Sequence, residues 1–264
     1  MKHAPDMNFL FSLADYAGEV MLANFNSISK MDIETKADTT PVTIADNMIN
    51  TYVIDQIKAK YPHISIIAEE GNAEIENAEY SILCDPIDGT IPYTLGIPIS
   101  TFCITLLYRG IPLKTCIYDP FLKRLWHAEK GMGSFLNQKN KLQVSNTRFI
   151  KDSNIHFCWW KGSKYNLEGI CEHIRSEGGK WLNLATIGCV GGLIASGHID
   201  ASIFPGDKAW ETAAMKLLVE EAGGKVTHID GSPIENFLGN SIKGHIISNG
   251  LLHDWLPGIV DLHQ

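Results

Sequence analysis

Two short apolar runs in the first third of the chain end in carboxylates. "ISIIAEEG" (residues 64–71) closes on Glu69 and Glu70, and "YSILCDPIDG" (residues 80–89) closes on Asp85 and Asp88. Apolar runs this short, bounded by polar residues, are predicted to be buried strands rather than helices. A strand that terminates in charged groups delivers them to the edge of the core, where they lose part of their hydration. If the two strands are neighbours, their acids meet at one point. Such a cluster of like charges is costly unless a cation sits within it.

The rest of the chain supplies what a sheet of this kind needs to cover it. Leu10, Leu13, Ala14, Ala17, Met21 and Phe25 fall at i, i+3, i+4 spacing and predict an amphipathic helix over residues 7–25. "SKMDIETKADTTPVT" breaks that period and reads as a loop or short ribbon. Thr43 then stands three residues before Asp46, a capping-box-like start, and Met48, Ile49, Val53, Ile54 and Ile57 continue a helix to Tyr61-Pro62. From Ser100 the chain is rich in β-formers and is punctuated by Arg109-Gly110, Asp119-Pro120 and Lys130-Gly131, as an antiparallel meander would be. The polar stretch "NTRFIKDSN" (residues 146–154) marks a boundary between an N-terminal α+β lobe, 1–148, and a C-terminal α/β lobe, 149–264. In the latter, strands near 154–160, 180–184 and 200–204 alternate with helices over 167–176, 188–196 and 210–222.

Composition narrows the function. The chain has 264 residues, a net charge of -8 and no block of lysines and arginines, which argues against a nucleic-acid footprint. Its apolar stretches are too short and too often interrupted to span a bilayer, and no secretory signal is visible, so a cytoplasmic location is expected. Six scattered cysteines without a C-x-x-C pair read as reduced thiols. His127, His156 and His198 lack metal-ligand spacing, and no G-x-S-x-G nucleophile elbow is present.

Asp85 and Asp88 flank Pro86-Ile87, and a proline there fixes the direction of the chain so that both carboxylates face one point. Oxygen donors in that arrangement suit Mg²⁺. Gly89 permits close backbone approach, and a helix opening at Thr90, with Pro92 in its first turn, would aim free N–H groups at an anion. The alternative is that both acids serve a solvated turn and cap the next helix, since Asp119-Pro120 recurs with nothing around it. Trp159-Trp160-Lys161 reads either as an aromatic wall for a nucleotide or aryl substrate or as an interior strand end.

Taken together, "DPIDGT", "AEEG", "KADTTPVTIAD", "AWETAA" and "EEAGGKVTHIDG" resemble the inositol monophosphatase family, in the lithium-sensitive, Mg²⁺-dependent phosphatase superfamily, over roughly Leu10 to Asn249. The resemblance implies an α+β fold, a layered αβαβα sandwich of the inositol monophosphatase / fructose-1,6-bisphosphatase type, with two or three Mg²⁺ ions between the lobes. It implies that Glu69, Asp85 and the carbonyl of Ile87 hold one ion, and that Asp85, Asp88 and Glu211 hold another. Thr90, oriented by Asp46, would join Glu69 in positioning the attacking water, with Glu70 in support. Lys36 matches the basic residue on a loop that closes near the phosphate. Gly89 and Thr90 would bind phosphate oxygens through their amides, and Asp88, Thr186, Ile187 and Asp207 would contact the substrate. A homodimer is also implied.

Three departures from the family pattern stand out. Glu211 replaces the usual Asp after Trp210, as in fructose-1,6-bisphosphatases; its alternative reading is a first-turn acid favoured by the helix dipole. Ile91-Pro92-Tyr93 follows Gly-Thr where the family usually has a residue and then Asn-Phe. The acid that contacts inositol hydroxyls falls at Phe204, with Asp207 as a substitute three residues on. The expected reaction is Mg²⁺-dependent hydrolysis of a small phosphorylated polyol or sugar by metal-activated water. The alternatives are fructose 1,6-bisphosphate, histidinol phosphate or the 3′-phosphate of an adenosine bisphosphate as substrate, or a binding protein of this fold without turnover.

Overall fold

The N-terminal apolar stripe folds as α1 (Met7–Asn24), opened by Asp6, whose carboxylate accepts from the Phe9 amide at 2.8 Å. The structure is a computed structural model and describes residues 4–26, 34–35, 41–158, 165, 167–206, 208–239 and 242–261. The polar stretch that follows contributes a two-residue ribbon, β1 (Glu34–Thr35) against β2 (Pro41–Val42). Next, α2 (Ile44–Lys60) starts at the expected capping box: the Thr43 amide donates to Asp46 Oδ2 at 2.8 Å, and the Asp46 amide donates back to Thr43 Oγ1.

The two acid-bearing runs are neighbours. β3 (Ser65–Ala68) lies parallel to β4 (Tyr80–Asp88), Ala68 pairing with Cys84. After the one-turn helix α3 (Thr90–Thr94), the predicted meander follows as β5 (Thr101–Tyr108), β6 (Ile111–Asp119), β7 (Arg124–Glu129), β8 (Gly133–Leu136) and β9 (Asn140–Lys141). They form one seven-stranded sheet in the order β3-β4-β5-β6-β7-β8-β9. Asp119, with nothing in the sequence to distinguish it, is fully buried: it accepts from the Phe121 and Leu122 amides and pairs with Arg124 at 2.7 Å, so it anchors the β6–β7 turn.

The second half builds β10 (Asn154–Phe157), α4 (Leu167–Ser176), β11 (Lys180–Leu182), α5 (Ile187–Ala195), β12 (Ala201–Phe204) and α6 (Ala209–Glu221), close to expectation. It continues beyond it, with β13 (Lys225–His228), β14 (His245–Ser248) and α7 (Leu256–Asp261). The alternation suggested a parallel layer, but only β11, β10 and β12 are parallel; β14 runs antiparallel to both β12 and β13, and the five strands order as β11-β10-β12-β14-β13. His-Ile-Ile-Ser is too short to show a period, which is why β14 escapes a sequence reading.

The layers follow from which face each strand makes apolar. Ile82, Cys84 and Ile104 pack under α1 and α2, while Leu83, Cys103 and Leu107 face α5 and α6. Helices α5 and α6 therefore lie between the two sheets, with Phe204 and Ile247 on their other side. Ile155, Phe157, Ile203 and Ile246 turn outward beneath α4 and α7. The result is the expected αβαβα sandwich. One tight seam is α5 on β7: a Cβ at Gly192 would stand 2.4–2.7 Å from three ring carbons of Trp126, whose indole N–H donates to Ser196 Oγ at 3.1 Å.

That seam yields a paired test by urea denaturation. Gly192→Ala should lose about 1–3 kcal/mol through overpacking, despite the helix preference for alanine. Gly258→Ala in α7, where a Cβ meets nothing within 4 Å, should instead gain up to about 1 kcal/mol. A Gly192→Ala midpoint at or above that of the wild type would mean that α5 stands off from β7.

Candidate active site

β4 does not stop at its acids; it runs through both of them. Asp85 pairs with Cys103 and Asp88 with Thr101, so three steps on β4 match two on β5, and Pro86-Ile87 form a bulge. Residues three apart on a regular strand face opposite sides. The extra residue cancels that, and Asp85 and Asp88 both point to the face that carries Cys103, Thr101 and α5, while Ile87 packs under α2. A proline is tolerated there because a bulge needs no ladder hydrogen bond from it.

Asp88 is held from four directions. Its carboxylate accepts from the hydroxyl of Thr186, from the Ile187 amide at 2.9 Å, from the Gly188 amide at 2.9 Å and from the Thr101 hydroxyl at 3.0 Å. The N-cap residue of α5, Thr186, makes no cap of its own. Asp88 does that work from the other half of the chain, about a hundred residues away in sequence. Contact this close requires Gly188, where a Cβ would fall 2.4 Å from Thr101 Oγ1 and 2.6 Å from Cys103 Sγ, and Gly89, at φ +81° with its own Cβ position 2.9 Å from Thr186. Ala185, just before this cap, takes φ +52°, a conformation uncommon without a constraint from its surroundings.

Other acids close in on Asp85. Glu69 extends β3 beside it, its amide donating to the Cys84 carbonyl at 3.1 Å. Burial holds the Asp85 carboxyl well above the usual carboxylate range, and the charges of Glu69, Asp88, Glu211 and Asp46 push the same way. Asp46 is pushed up to about 7, mainly by burial; bonds from Thr43 oppose this, and Glu70 and Glu69 add to it. Burial also raises Asp88, against the pull of its hydrogen bonds. Glu69, Glu70 and Glu211 are each half-buried around this point.

The sequence-predicted residues thus converge, with differences in detail. Asp46, Glu69, Glu70, Asp85, Asp88 and Glu211 share one electrostatic neighbourhood. Thr90 Oγ1 donates to the Ile87 carbonyl at 3.0 Å, while the Asp46 carboxylate accepts from Thr43, so the implied Thr90–Asp46 bond is not among those of the described residues. Thr186 and Ile187 meet Asp88 directly. Phe204 is buried against His245, ring centroids 5.1 Å apart, and presents no polar group. Lys36, Asp207 and the Trp159-Trp160-Lys161 run lie outside the described residues. Thr101 and Gly188 were missed; a Ser-Thr pair opening a strand and a glycine at a helix start carry no signal until the strands are paired.

The donors fit a hard divalent cation. All are oxygens, and Asp85 Oδ1 is buried with no hydrogen-bond partner, in a field that only positive charge relieves. Among the described residues no three acids, histidines or cysteines are already drawn into a ligand cluster. A fold of two sheets sandwiching helices, with carboxylates from both halves meeting beside a glycine turn, defines a metal-assisted hydrolase of the phosphatase type. The chain belongs to the inositol monophosphatase family, Mg²⁺-dependent phosphatases whose family model matches residues 3–263. It is 30% identical to the Nus factor SuhB of Xylella fastidiosa, covering 86% of this chain and 83% of that protein. It is 29% identical to the histidinol-phosphatase of Mycobacterium tuberculosis, covering 94% and 95%. Among solved structures it is similar to an IMPase/NADP phosphatase complexed with Mg²⁺ and phosphate, with 25% identity, a TM-score of 0.79, and coverage of 96% of this chain and 92% of that one.

The raised carboxyl groups make the metal-free protein pH-sensitive in a defined direction. A folded-state pKa above the unfolded value means that stability is lost as pH rises through it. With chelator present, the melting temperature should therefore rise by about 1–2 °C from pH 8 to pH 7, where unfolded-state histidines, with a pKa of about 6.5, are still mostly neutral. Asp85→Asn should flatten that rise, and Mg²⁺ should reverse it, because cation binding needs the deprotonated acids. A slope unchanged in Asp85→Asn would remove Asp85 from the centre of the cluster.

Proposed function

We propose that this chain hydrolyses a small phosphorylated polyol or sugar as a Mg²⁺-dependent phosphomonoesterase, with its site completed by both lobes, 1–148 and 149–264. The observation that carries the reading is the buried Asp85 carboxylate, one oxygen without a partner, ringed by Glu69, Asp88, Glu211 and Asp46. Glu69, Asp85 and the Ile87 carbonyl would hold one cation, and Asp85, Asp88 and Glu211 a second. Bound Mg²⁺ supplies charge neutralisation to the phosphoryl group and lowers the pKa of the attacking water.

The chain's own groups do the rest. Asp88 keeps its orientation because four donors fix it, three on Oδ2 and one on Oδ1, so Oδ1 is the oxygen that retains acceptor capacity for a cation. Gly89, in the left-handed region, opens α3, and its amide and that of Thr90 would receive phosphate oxygens. Thr90 and Glu69 would orient the water, with Asp46 close to neutral pH available to take up a proton and Glu70 beside it. Lys36 would approach the phosphate, and Asp207, with Thr186 and Ile187, the leaving group. Phe204 removes an acid from the substrate side, which favours a leaving group other than inositol itself; the histidinol-phosphatase likeness supports histidinol phosphate as a candidate.

Exposed Ile91, Leu95 and Ile97, close together in the chain beside the glycine turn, support a homodimer. The free cysteines support a reducing, cytoplasmic location, and among the described residues no helix is long and apolar enough to cross a membrane. A second reading, a binding protein without turnover, draws on the likeness to a Nus factor.

Phosphate release from inositol 1-phosphate, histidinol phosphate, fructose 1,6-bisphosphate and adenosine 3′,5′-bisphosphate separates the two. Release that requires Mg²⁺, is inhibited by lithium and falls about a thousandfold or more in Asp88→Asn is expected. A folded protein that binds Mg²⁺ yet releases phosphate from none of the four would favour the binding reading.

A further inference from the structure

Glu211 sits in the first turn of α6, and that turn lacks an ordinary start: its N-cap, Lys208, makes no side-chain cap bond. An uncapped helix start frays, and Glu211 would move with it. The next residue ties it down. Thr212 is fully buried, and its hydroxyl lies 3.2 Å from the Lys208 carbonyl and 3.0 Å from Nδ1 of His245 on β14. A carbonyl can only accept, so with the hydroxyl proton on the Lys208 side Oγ1 receives its second bond from the imidazole. We assign His245 the matching Nδ1–H tautomer, which leaves on its buried Nε2, without a partner, a lone pair rather than a stranded proton. Phe204, paired with His245 across β12 and β14, covers the ring. Gly206 keeps the segment tight, since a Cβ there would fall 2.1 Å from the Phe204 ring.

We infer that His245 is a positioning residue: through Thr212 it clamps the first turn of α6 to the five-stranded sheet and so fixes Glu211 in the candidate metal site. This rests on the phosphatase reading of Glu211. It also gives Phe204 a job that an acid could not do, because a carboxylate there would neither cover the imidazole nor leave it neutral.

The test uses the full-length, metal-free protein. His245→Leu and Thr212→Val remove the clamp, whereas His245→Asn keeps an N–H near the Nδ1 position. His156→Leu is the control, an equally buried histidine on β10 that bonds Ser202 of the neighbouring β12 at 3.0 Å and, among the described residues, makes no bond to α6. Hydrogen exchange at the amides of residues 210–213 should be faster in His245→Leu and Thr212→Val and near normal in His245→Asn and His156→Leu. Calorimetric Mg²⁺ affinity should fall about tenfold or more in the first two, with partial rescue in His245→Asn and no loss in His156→Leu even if its melting temperature drops. Exchange and affinity unchanged in a folded His245→Leu, or an equal loss in His156→Leu, would overturn the assignment. If the wild type binds no Mg²⁺, the phosphatase reading falls, while the exchange pattern still decides whether His245 holds the turn.

Discussion

The carboxylate of Asp88 ties the molecule together. It belongs to the seven-stranded sheet, yet it supplies the cap that α5 lacks, and so it fixes where the second half of the chain begins to pack. Hydrogen bonds from two amides and two hydroxyls to one buried carboxylate compensate the loss of its hydration. Such compensation demands near-contact between backbones, which is why glycines stand on both sides of the joint, Gly89 on one and Gly188 on the other. A group that brings the two halves of the chain into register is the same one to which the proposed function gives a cation, so that on this reading architecture and chemistry share one side chain.

Around that joint the acids are arranged in graded environments. Asp85 is buried with one oxygen lacking a hydrogen-bond partner, Asp88 is buried but well hydrogen-bonded, and Asp46 is buried with its bonds taken by its own helix start. Glu69, Glu70 and Glu211 keep partial access to water. Charge is held most firmly where the partners are most rigid, and the more accessible acids can adjust to a ligand as it arrives. The glutamate at 211, one methylene longer than the aspartate usual in the family, belongs to this outer group by its exposure, although its turn is tied down through Thr212 and its Oε2 is buried.

Much of this was legible from residues alone. Periodicity gave α1 and α2, the capping box at Thr43 and Asp46 was visible as spacing, and the turn dipeptides marked out the meander. The acid cluster followed from two apolar runs that end alike. What was hidden depended on pairing. Asp119 looks like any Asp-Pro turn until Arg124 is found opposite it on β7. Thr101, Gly188 and His245 meet partners that lie 13, 100 and 33 residues away in sequence, and a four-residue strand such as β14 has too little length to show a period. The Thr90–Asp46 pairing implied by family likeness is a different case, since each residue has found a closer local partner.

The bulge at Pro86-Ile87 turns the spacing of the two aspartates into a question of parity. On an extended strand, odd separations divide side chains between faces and even ones unite them; one surplus residue exchanges the two rules. The identity of the intervening pair is thus less restricted than its number. Exchange of Ile87 for another apolar residue leaves both carboxylates on the α5 side, whereas insertion of a single residue with the bulge kept would send Asp88 to the side of α2, strand its four donors and dissolve the joint between the two halves of the chain. Variation in descendants of this sequence should respect the count before it respects the letters.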